Sequence, residues 1–445
     1  MQKTYWKCVV CSAVFEGTMP PEICPVCKAG REAFIPYTPE EINFKNDTDE
    51  KILIIGSGAA ATSAAESVRK RNATAKIDIF TSENKLPYFR PILIRALNEN
   101  IKDKQYYLHP APFYANRKIE IHTGKTASSI DPRERTANFA DGGKYPFDKI
   151  LLATGAKNFA PPIPGTDLPR VFTLREAADF DNLKTFLGTE KNIVIIGGGI
   201  LGLEIAGILN EMRQKMTVVE VCPRILPRQT DPASSKILEK IITASGVNLV
   251  KGAIVSEIVG KDHVEGVRLN SGEMIKCDMV IISTGITSRM ELAKFADIKC
   301  ARGIVVNEFM QTSTESVFAA GDCAVFGDKI DGVWETAAGQ GRVAGANIAG
   351  DKTSYKAKMF GTLLNAFGTK LFSTGDFGTI HSAEKYEVIS TSDNASGTYK
   401  AFYFLGGKAV GGILLGDAML TCPLIAAIEN SWDIAECAKN GIKRK

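Results

Sequence analysis

One string occurs twice in this chain. Lys51-Ile52-Leu53-Ile54-Ile55-Gly56-Ser57-Gly58 is echoed by Asn192-Ile193-Val194-Ile195-Ile196-Gly197-Gly198-Gly199. Further on, Asp148-Lys149-Ile150-Leu151-Leu152-Ala153-Thr154-Gly155 is echoed by Asp278-Met279-Val280-Ile281-Ile282-Ser283-Thr284-Gly285. Each half reads as an apolar β-branched strand, a glycine turn, a helix, and a later apolar strand ending in Thr-Gly. Strands that are apolar along their whole length are buried on both faces, which points to parallel sheets covered by helices. Two doubly wound nucleotide domains are therefore predicted, and 445 residues leave room for smaller units at both ends.

Gly56-x-Gly58-x-x-Ala61 and Gly197-x-Gly199-x-x-Gly202 fall where strand gives way to helix. The first glycine permits the tight turn, the second lets a pyrophosphate reach the backbone, and the third small residue lets helix and strand pack closely. The helix N-terminus supplies N–H donors and partial positive charge; Ala59 and Ala60 belong to the same approach in the first copy. A single match is weak, but here it recurs, with an acid beyond each second strand. In the second copy Met216-Thr217-Val218-Val219-Glu220 ends on a carboxylate that accepts ribose hydroxyls and repels a 2′-phosphate, favouring NADH over NADPH. Arg224 slightly weakens that preference. In the first copy the acid comes later, and Glu83 is the candidate.

The strings Ala153-Thr154-Gly155, Ser283-Thr284-Gly285 and Val317-Phe318-Ala319-Ala320-Gly321-Asp322, in this order, resemble the two-dinucleotide flavoprotein disulfide reductase superfamily over residues 50 to 350. The resemblance implies FAD in the first site and NAD in the second. It also implies that Gly321 and Asp322 return to the FAD domain, Asp322 to the ribityl chain, and that Ala127 offers a backbone amide to the adenine. Leu86-Pro87-Tyr88-Phe89-Arg90-Pro91 looks like the rubredoxin and ferredoxin reductase branch, in which the arginine, here Arg90, borders the flavin; a turn with a solvated arginine is the plainer alternative. Arg95 stands where some relatives place a lysine paired with the glutamate of Gly-x-x-Gly-Leu-Glu, here Glu204. An Arg95–Glu204 ion pair holding the hydride geometry is expected, since a guanidinium does not deprotonate. Trp334 resembles the segment that reaches the flavin ring, a core tryptophan being the other reading. Residues 84–100 lack the cysteine of the disulfide and peroxide reductases, Cys323 reads as a core thiol, and His109, His122, His263 and His381 are scattered. Electrons are thus expected to leave the flavin directly.

Near the start stand Cys8-Val9-Val10-Cys11 and Cys24-Pro25-Val26-Cys27. Two such knuckles bring four thiolates round one tetrahedral metal, and a soft four-sulfur set selects iron or zinc. Iron makes the segment an electron carrier, zinc a structural clip; Tyr5, Trp6, Phe15 and Phe34 supply a larger aromatic core than a zinc knuckle needs and favour iron. Residues 3 to 36 resemble rubredoxin in the short-spaced form of rubrerythrins. They depart from it at Ser12 and Lys28, where the family usually places glycine in a left-handed turn. Residues 37–50 directly follow Pro36, hold Pro39 and five acids, and read as a linker; as a coil, roughly 13 residues span about 20 Å, enough for the module to swing.

A net charge of +4 argues against a nucleic-acid binder, and the apolar run 192–209 is broken by glycines and Glu204, so no membrane span is expected. Met1 leads directly into the knuckle, so no signal peptide is read. The six unpaired cysteines read as free thiols of a reducing compartment, and a cytoplasmic protein is expected. The predicted class is α/β: a rubredoxin-like metal domain (1–36), a linker (37–50), a discontinuous Rossmann-like FAD domain (51–165 and 291–350), a Rossmann-like NAD domain (166–290), and an α+β domain (351–445) whose runs 398–404 and 409–415 read as strands and 423–439 as helix. The expected function is hydride transfer from NADH to FAD. Single electrons then pass to the fused iron and on to rubredoxin, rubrerythrin or a flavodiiron protein. The basic Lys443-Arg444-Lys445 tail is either a docking element for an acidic carrier or a solvated chain end. An NADH oxidase using O2 over a structural zinc, or a redox-sensing docking flavoprotein, are the alternatives.

Overall fold

Alternating hydrogen-bond registers divide the chain into sheets of two kinds. The computed structural model describes all residues except 1–3, 12, 40, 190, 329, 331, 359, 379–384, 394 and 443–445. Ser12, His381 and the basic tail therefore lie outside the described residues. The apolar strands that the sequence repeats do form parallel sheets. The first runs Val317–Ala319, Lys149–Leu152, Lys51–Ile55, Lys76–Phe80, Ile119–His122. The second runs Val171–Thr173, Met279–Ile282, Asn192–Ile196, Lys215–Glu220, Asn248–Lys251. Their middle strands are buried residue after residue, as two-faced burial requires. Each domain also carries a three-stranded antiparallel sheet, Ala127–Pro146 and Val255–Lys276, and the duplication extends to these. Strands Ala156–Asn158 and Ile286–Ser288 pair antiparallel and tie the two units together.

In the first unit helix Ala59–Arg71 lies against helix Trp334–Ile348. The approach is close because of glycine: a Cβ on Gly341 would stand 2.2 Å from the Ala60 carbonyl oxygen, and one on Gly345 2.3 Å from that of Ala64. This contact brings the segment after Asp322 back over the first glycine turn.

The C-terminal region forms an antiparallel sheet in the order Thr362–Ala366, Thr369–Gly375, Lys408–Leu415, Thr398–Leu405, Glu387–Asp393. The single helix expected over 423–439 is two, Thr421–Glu429 and Ile434–Lys439. Ser431 takes a positive φ of 50° and Trp432 turns back to accept from the Ala409 N–H, so Asp433 starts a new helix with its own capping box.

The linker differs from a free coil over its second half. Asn46 N–H donates to the Arg71 carbonyl at the end of the first helix, and its side chain donates to Ala349 O at 3.0 Å. Asp47 accepts from Ala73 N–H at 2.6 Å, and Glu50 pairs with Lys149 at 2.9 Å. Polar linker side chains here satisfy the orphan groups at helix ends, which leaves only the stretch after Tyr37 to connect the metal module.

Candidate functional site

The two glycine turns are built alike, atom for atom. Gly56 has φ +114° and donates to Phe80 O at 2.8 Å; Gly197 has φ +113° and donates to Val219 O at 2.8 Å. A Cβ at Gly56 would meet Ala153 O at 2.1 Å, and one at Gly197 Ser283 O at 2.2 Å. Both turns thus lean on the strand that ends in Thr-Gly. Thr154 donates to Arg289 O and Thr284 to Phe159 O, while Gly155 and Gly285 take φ +69° and +119°. Gly202 is tight against Gly197 O at 2.1 Å, whereas the fully buried Ala61 keeps its methyl at the corresponding place. Gly58 and Gly199 cap helices Ala59–Arg71 and Ile200–Glu211, and nothing lies within 4 Å of where their Cβ would be. Such open backbone at a helix N-terminus suits a pyrophosphate, and dinucleotides fit both turns.

The acids behave differently in the two copies. Glu220 ends its strand, nearly buried, and accepts from Gly198 N–H at 2.6 Å and Cys222 N–H at 2.8 Å. In the first copy the equivalent register position is Thr81, bonded to Ser57 Oγ at 3.0 Å. Glu83 lines the cleft but is committed to Arg90 at 2.8 Å and to the Tyr88 hydroxyl at 2.6 Å. Arg90 also donates to Arg175 O at 2.6 Å, so it is a part-buried brace and not a solvated turn residue.

A cleft of about 1030 Å³ opens beside the first turn, at the upper end of small-ligand sites. Ala59, Ala60, Ala127, Ala153, Gly321 and Asp322 line it. Gly321 N–H donates to Gln340 Oε1 at 2.8 Å, and the Asp322 carboxylate accepts from Arg175 at 2.6 Å. Trp334 opens its helix and meets Phe89 edge-on, centroids 4.9 Å apart, to form one wall. Cys323 is fully buried and donates to Leu152 O and Ala320 O, as a core thiol does.

The expected Arg95–Glu204 ion pair is not formed. Arg95 is drawn to Glu99, one helical turn on, at 2.5 Å, and donates to the carbonyls of Val26 at 3.1 Å and Pro25 at 3.4 Å. Glu204 lies on the cleft wall and forms no ion pair among the described residues, and desolvation pushes its carboxyl up to about 8.

The four N-terminal cysteines converge. Cys8 Sγ lies 3.7 Å from Cys27 Sγ and Cys11 Sγ 3.6 Å from Cys24 Sγ, with all four within 4.8 Å of one another. A tetrahedron with metal–sulfur bonds of about 2.3 Å requires sulfurs about 3.8 Å apart, so the donor set fits a metal ion. Lys28 holds the left-handed turn with φ 62° despite its side chain, and its N–H donates to Cys24 O at 2.9 Å. The aromatic core forms as well: Trp6 donates to Gly17 O, and Phe15 meets Phe34 edge-on at 5.8 Å. Cys8 and Cys24 are fully buried, whereas Cys11 and Cys27 are part-exposed and line the same cleft as Phe89 and Trp334.

Among residues the sequence did not single out, Thr81, Arg175 and Gln340 hold the site together. Thr81 was discoverable by carrying the duplication through to its strand end; Gln340 lies in the same segment as Trp334 but was not singled out, and Arg175 sits in no motif.

Comparison with known proteins gives three family matches. Residues 50–344 match the family described as pyridine nucleotide-disulphide oxidoreductase, 361–432 the rubredoxin NAD+ reductase C-terminal domain, and 6–35 the rubrerythrin, rubredoxin-like domain. A rubredoxin-NAD(+) reductase of Ectopseudomonas oleovorans is 34% identical over 276 residues, 62% of this chain and 72% of that protein. An NADH oxidase of Methanocaldococcus jannaschii is 33% identical over 380 residues, 81% of this chain and 83% of that one. A nitrite reductase [NAD(P)H] of Bacillus subtilis is 30% identical over 395 residues, 88% of this chain, which spans only 49% of that relative. The crystal structure of NADH:rubredoxin oxidoreductase from Clostridium acetobutylicum superposes with a TM-score of 0.74 at 25% identity, covering 88% of this chain and 99% of that one. No helix among the described residues is long and apolar enough to cross a membrane.

Proposed function

The chain belongs to the pyridine nucleotide-disulphide oxidoreductase family, and from that premise we propose that it carries electrons from NADH through FAD to an iron held by its own four cysteines, and from there to rubredoxin or another iron-protein acceptor. When bound, FAD accepts electrons in pairs from NADH and releases them singly, and a four-thiolate iron takes them one at a time. The observation that carries the reading is the shared cleft: Cys11 and Cys27 line the same space as the first glycine turn, Phe89 and Trp334. In this reading Gly56, Gly58, Ala59, Ala60, Ala61, Ala127, Ala153, Thr154, Gly155, Gly321 and Asp322 hold FAD. Gly197, Gly199, Gly202, Glu220 and Gly285 hold NADH. Arg175 steadies Asp322, and the Phe89–Trp334 wall keeps water from the ring. None of the ten cysteines forms a disulfide, which supports a reducing compartment such as the cytoplasm.

The likeness to an NADH oxidase favours a second reading, in which O2 is the acceptor and the cysteines hold zinc. Metal analysis of the purified protein, with NADH-dependent reduction of an added oxidised rubredoxin measured beside O2 uptake, decides between them. Iron with carrier reduction outpacing O2 uptake supports the relay; zinc with fast O2 uptake overturns it.

A further inference from the structure

The metal module does not hang from its linker; it is seated, and one charged side chain closes the seat. Arg95 is 14% exposed, is steadied by Glu99 on the next turn, and donates to the carbonyls of Pro25 and Val26 inside the second cysteine knuckle. On the opposite flank the C-terminal domain completes the contact. Val10 and Leu363 pack at once against the module core and the C-terminal core, and Cys422 donates to Glu32 O at 3.0 Å. The residues that form the seat also turn the part-exposed Cys11 and Cys27 toward the cleft, leaving the fully buried Cys8 and Cys24 on the other side of the cluster.

We propose that Arg95, held by Glu99, is a latch that docks the second cysteine knuckle onto the body of the protein with its Cys11–Cys27 edge at the cleft, and that the C-terminal domain is the seat. The electron-transfer consequence rests on the function proposed above; the docking itself does not. Arg95 is thus a positioning residue. It replaces a swinging tether, with its millimolar effective concentration, by one fixed arrangement. It also means that a second carrier cannot reach the Cys11–Cys27 edge while the module is docked.

The test uses full-length protein with flavin and metal bound, comparing wild type with Arg95→Met and Glu99→Gln; retained flavin absorbance and melting temperature verify folding. Two readouts are taken. The first is the rate of alkylation of Cys422, measured on its own peptide by mass spectrometry, because the seated module covers that thiol. Hydrogen bonds to a charged donor are worth about one decade in an opening equilibrium, so the rate is expected to rise about tenfold in Arg95→Met and less in Glu99→Gln. The second is the lag between bleaching of the flavin and metal bands after anaerobic mixing with NADH, expected to lengthen in the same order. Wild-type Cys422 reactivity in Arg95→Met overturns the latch, whatever the electron kinetics. Raised reactivity with a metal band that never bleaches, even in wild type, upholds the latch and overturns the relay.

Discussion

Gly58→Ala separates the fold from its cofactor. Gly58 has φ −78° and ψ −168°, an extended backbone open to any residue, and no atom lies within 4 Å of the added methyl. Alanine is a poorer helix cap than glycine, by up to about 1 kcal/mol, while the less flexible unfolded chain returns about 0.4–1 kcal/mol. The two nearly cancel, so urea unfolding of the flavin-free protein should move by less than about 1 kcal/mol. The methyl instead occupies the space through which a pyrophosphate meets the helix N-terminus. Overpacking of that kind costs about 1–3 kcal/mol, which weakens FAD binding roughly 5- to 150-fold at about 1.4 kcal/mol per decade. Fluorescence titration of the stripped protein with FAD reads this directly. Gly56→Ala is the contrasting control, since its φ of +114° and the Ala153 oxygen 2.1 Å away damage the turn itself. Wild-type FAD affinity in Gly58→Ala would refute the placement of the pyrophosphate.

Other consequences follow from single contacts. Glu204, pushed up to about 8 by burial, is bound neutral in the folded protein, so its contribution to stability is full below the ordinary carboxylate range and is lost as pH rises toward 8. Glu204→Gln should therefore melt at a temperature that gains on wild type between pH 5 and pH 8, and a constant difference across that range would contradict this. Asp231 caps helix Pro232–Ala244 and accepts from the hydroxyls of Tyr399 and Tyr403, each at 2.6 Å. Asp231→Ala should cost about 2–4 kcal/mol in urea unfolding. These hydrogen bonds hold the Asp231 carboxyl below its ordinary range against the opposing effect of burial, so the wild-type advantage should shrink as pH falls through its folded value. Stripping the metal leaves four sulfurs within 4.8 Å with no cation between them. The module should then lose its aromatic circular-dichroism signal while the flavin signal of the body survives.

The parts of this molecule that were legible in its sequence are those where chemistry dictates residue type at fixed spacing. Gly56 and Gly197 had to be glycine because a strand oxygen lies where a side chain would be, and the paired cysteines had to be cysteine to meet at one point. The parallel sheets followed from strands with no polar alternation. What stayed hidden depended on which of several possible partners a polar side chain takes in the fold. Arg95 was matched to Glu204 by resemblance to relatives with a lysine there, but Glu99 lies one turn along and the Pro25 and Val26 carbonyls come from a separate unit. Glu83 was named as the acid of the first copy, but not that Arg90 and Tyr88 already hold it. The linker looked free because its polar groups form no motif; Lys45, Asn46 and Asp47 instead satisfy helix ends contributed by residues 70–73 and 349. The seat for the metal module is an apolar contact through Val10 and Leu363, which carries no motif.

The central claim is that the four cysteines are the outlet of a flavin site. An anaerobic titration of the purified protein with NADH, following the flavin and metal–thiolate absorption bands separately, tests it most directly. An iron–thiolate band is expected to bleach together with the flavin and to take up reducing equivalents beyond one NADH per FAD. Bleaching of the flavin alone, complete at one NADH and with no iron–thiolate band, would contradict it.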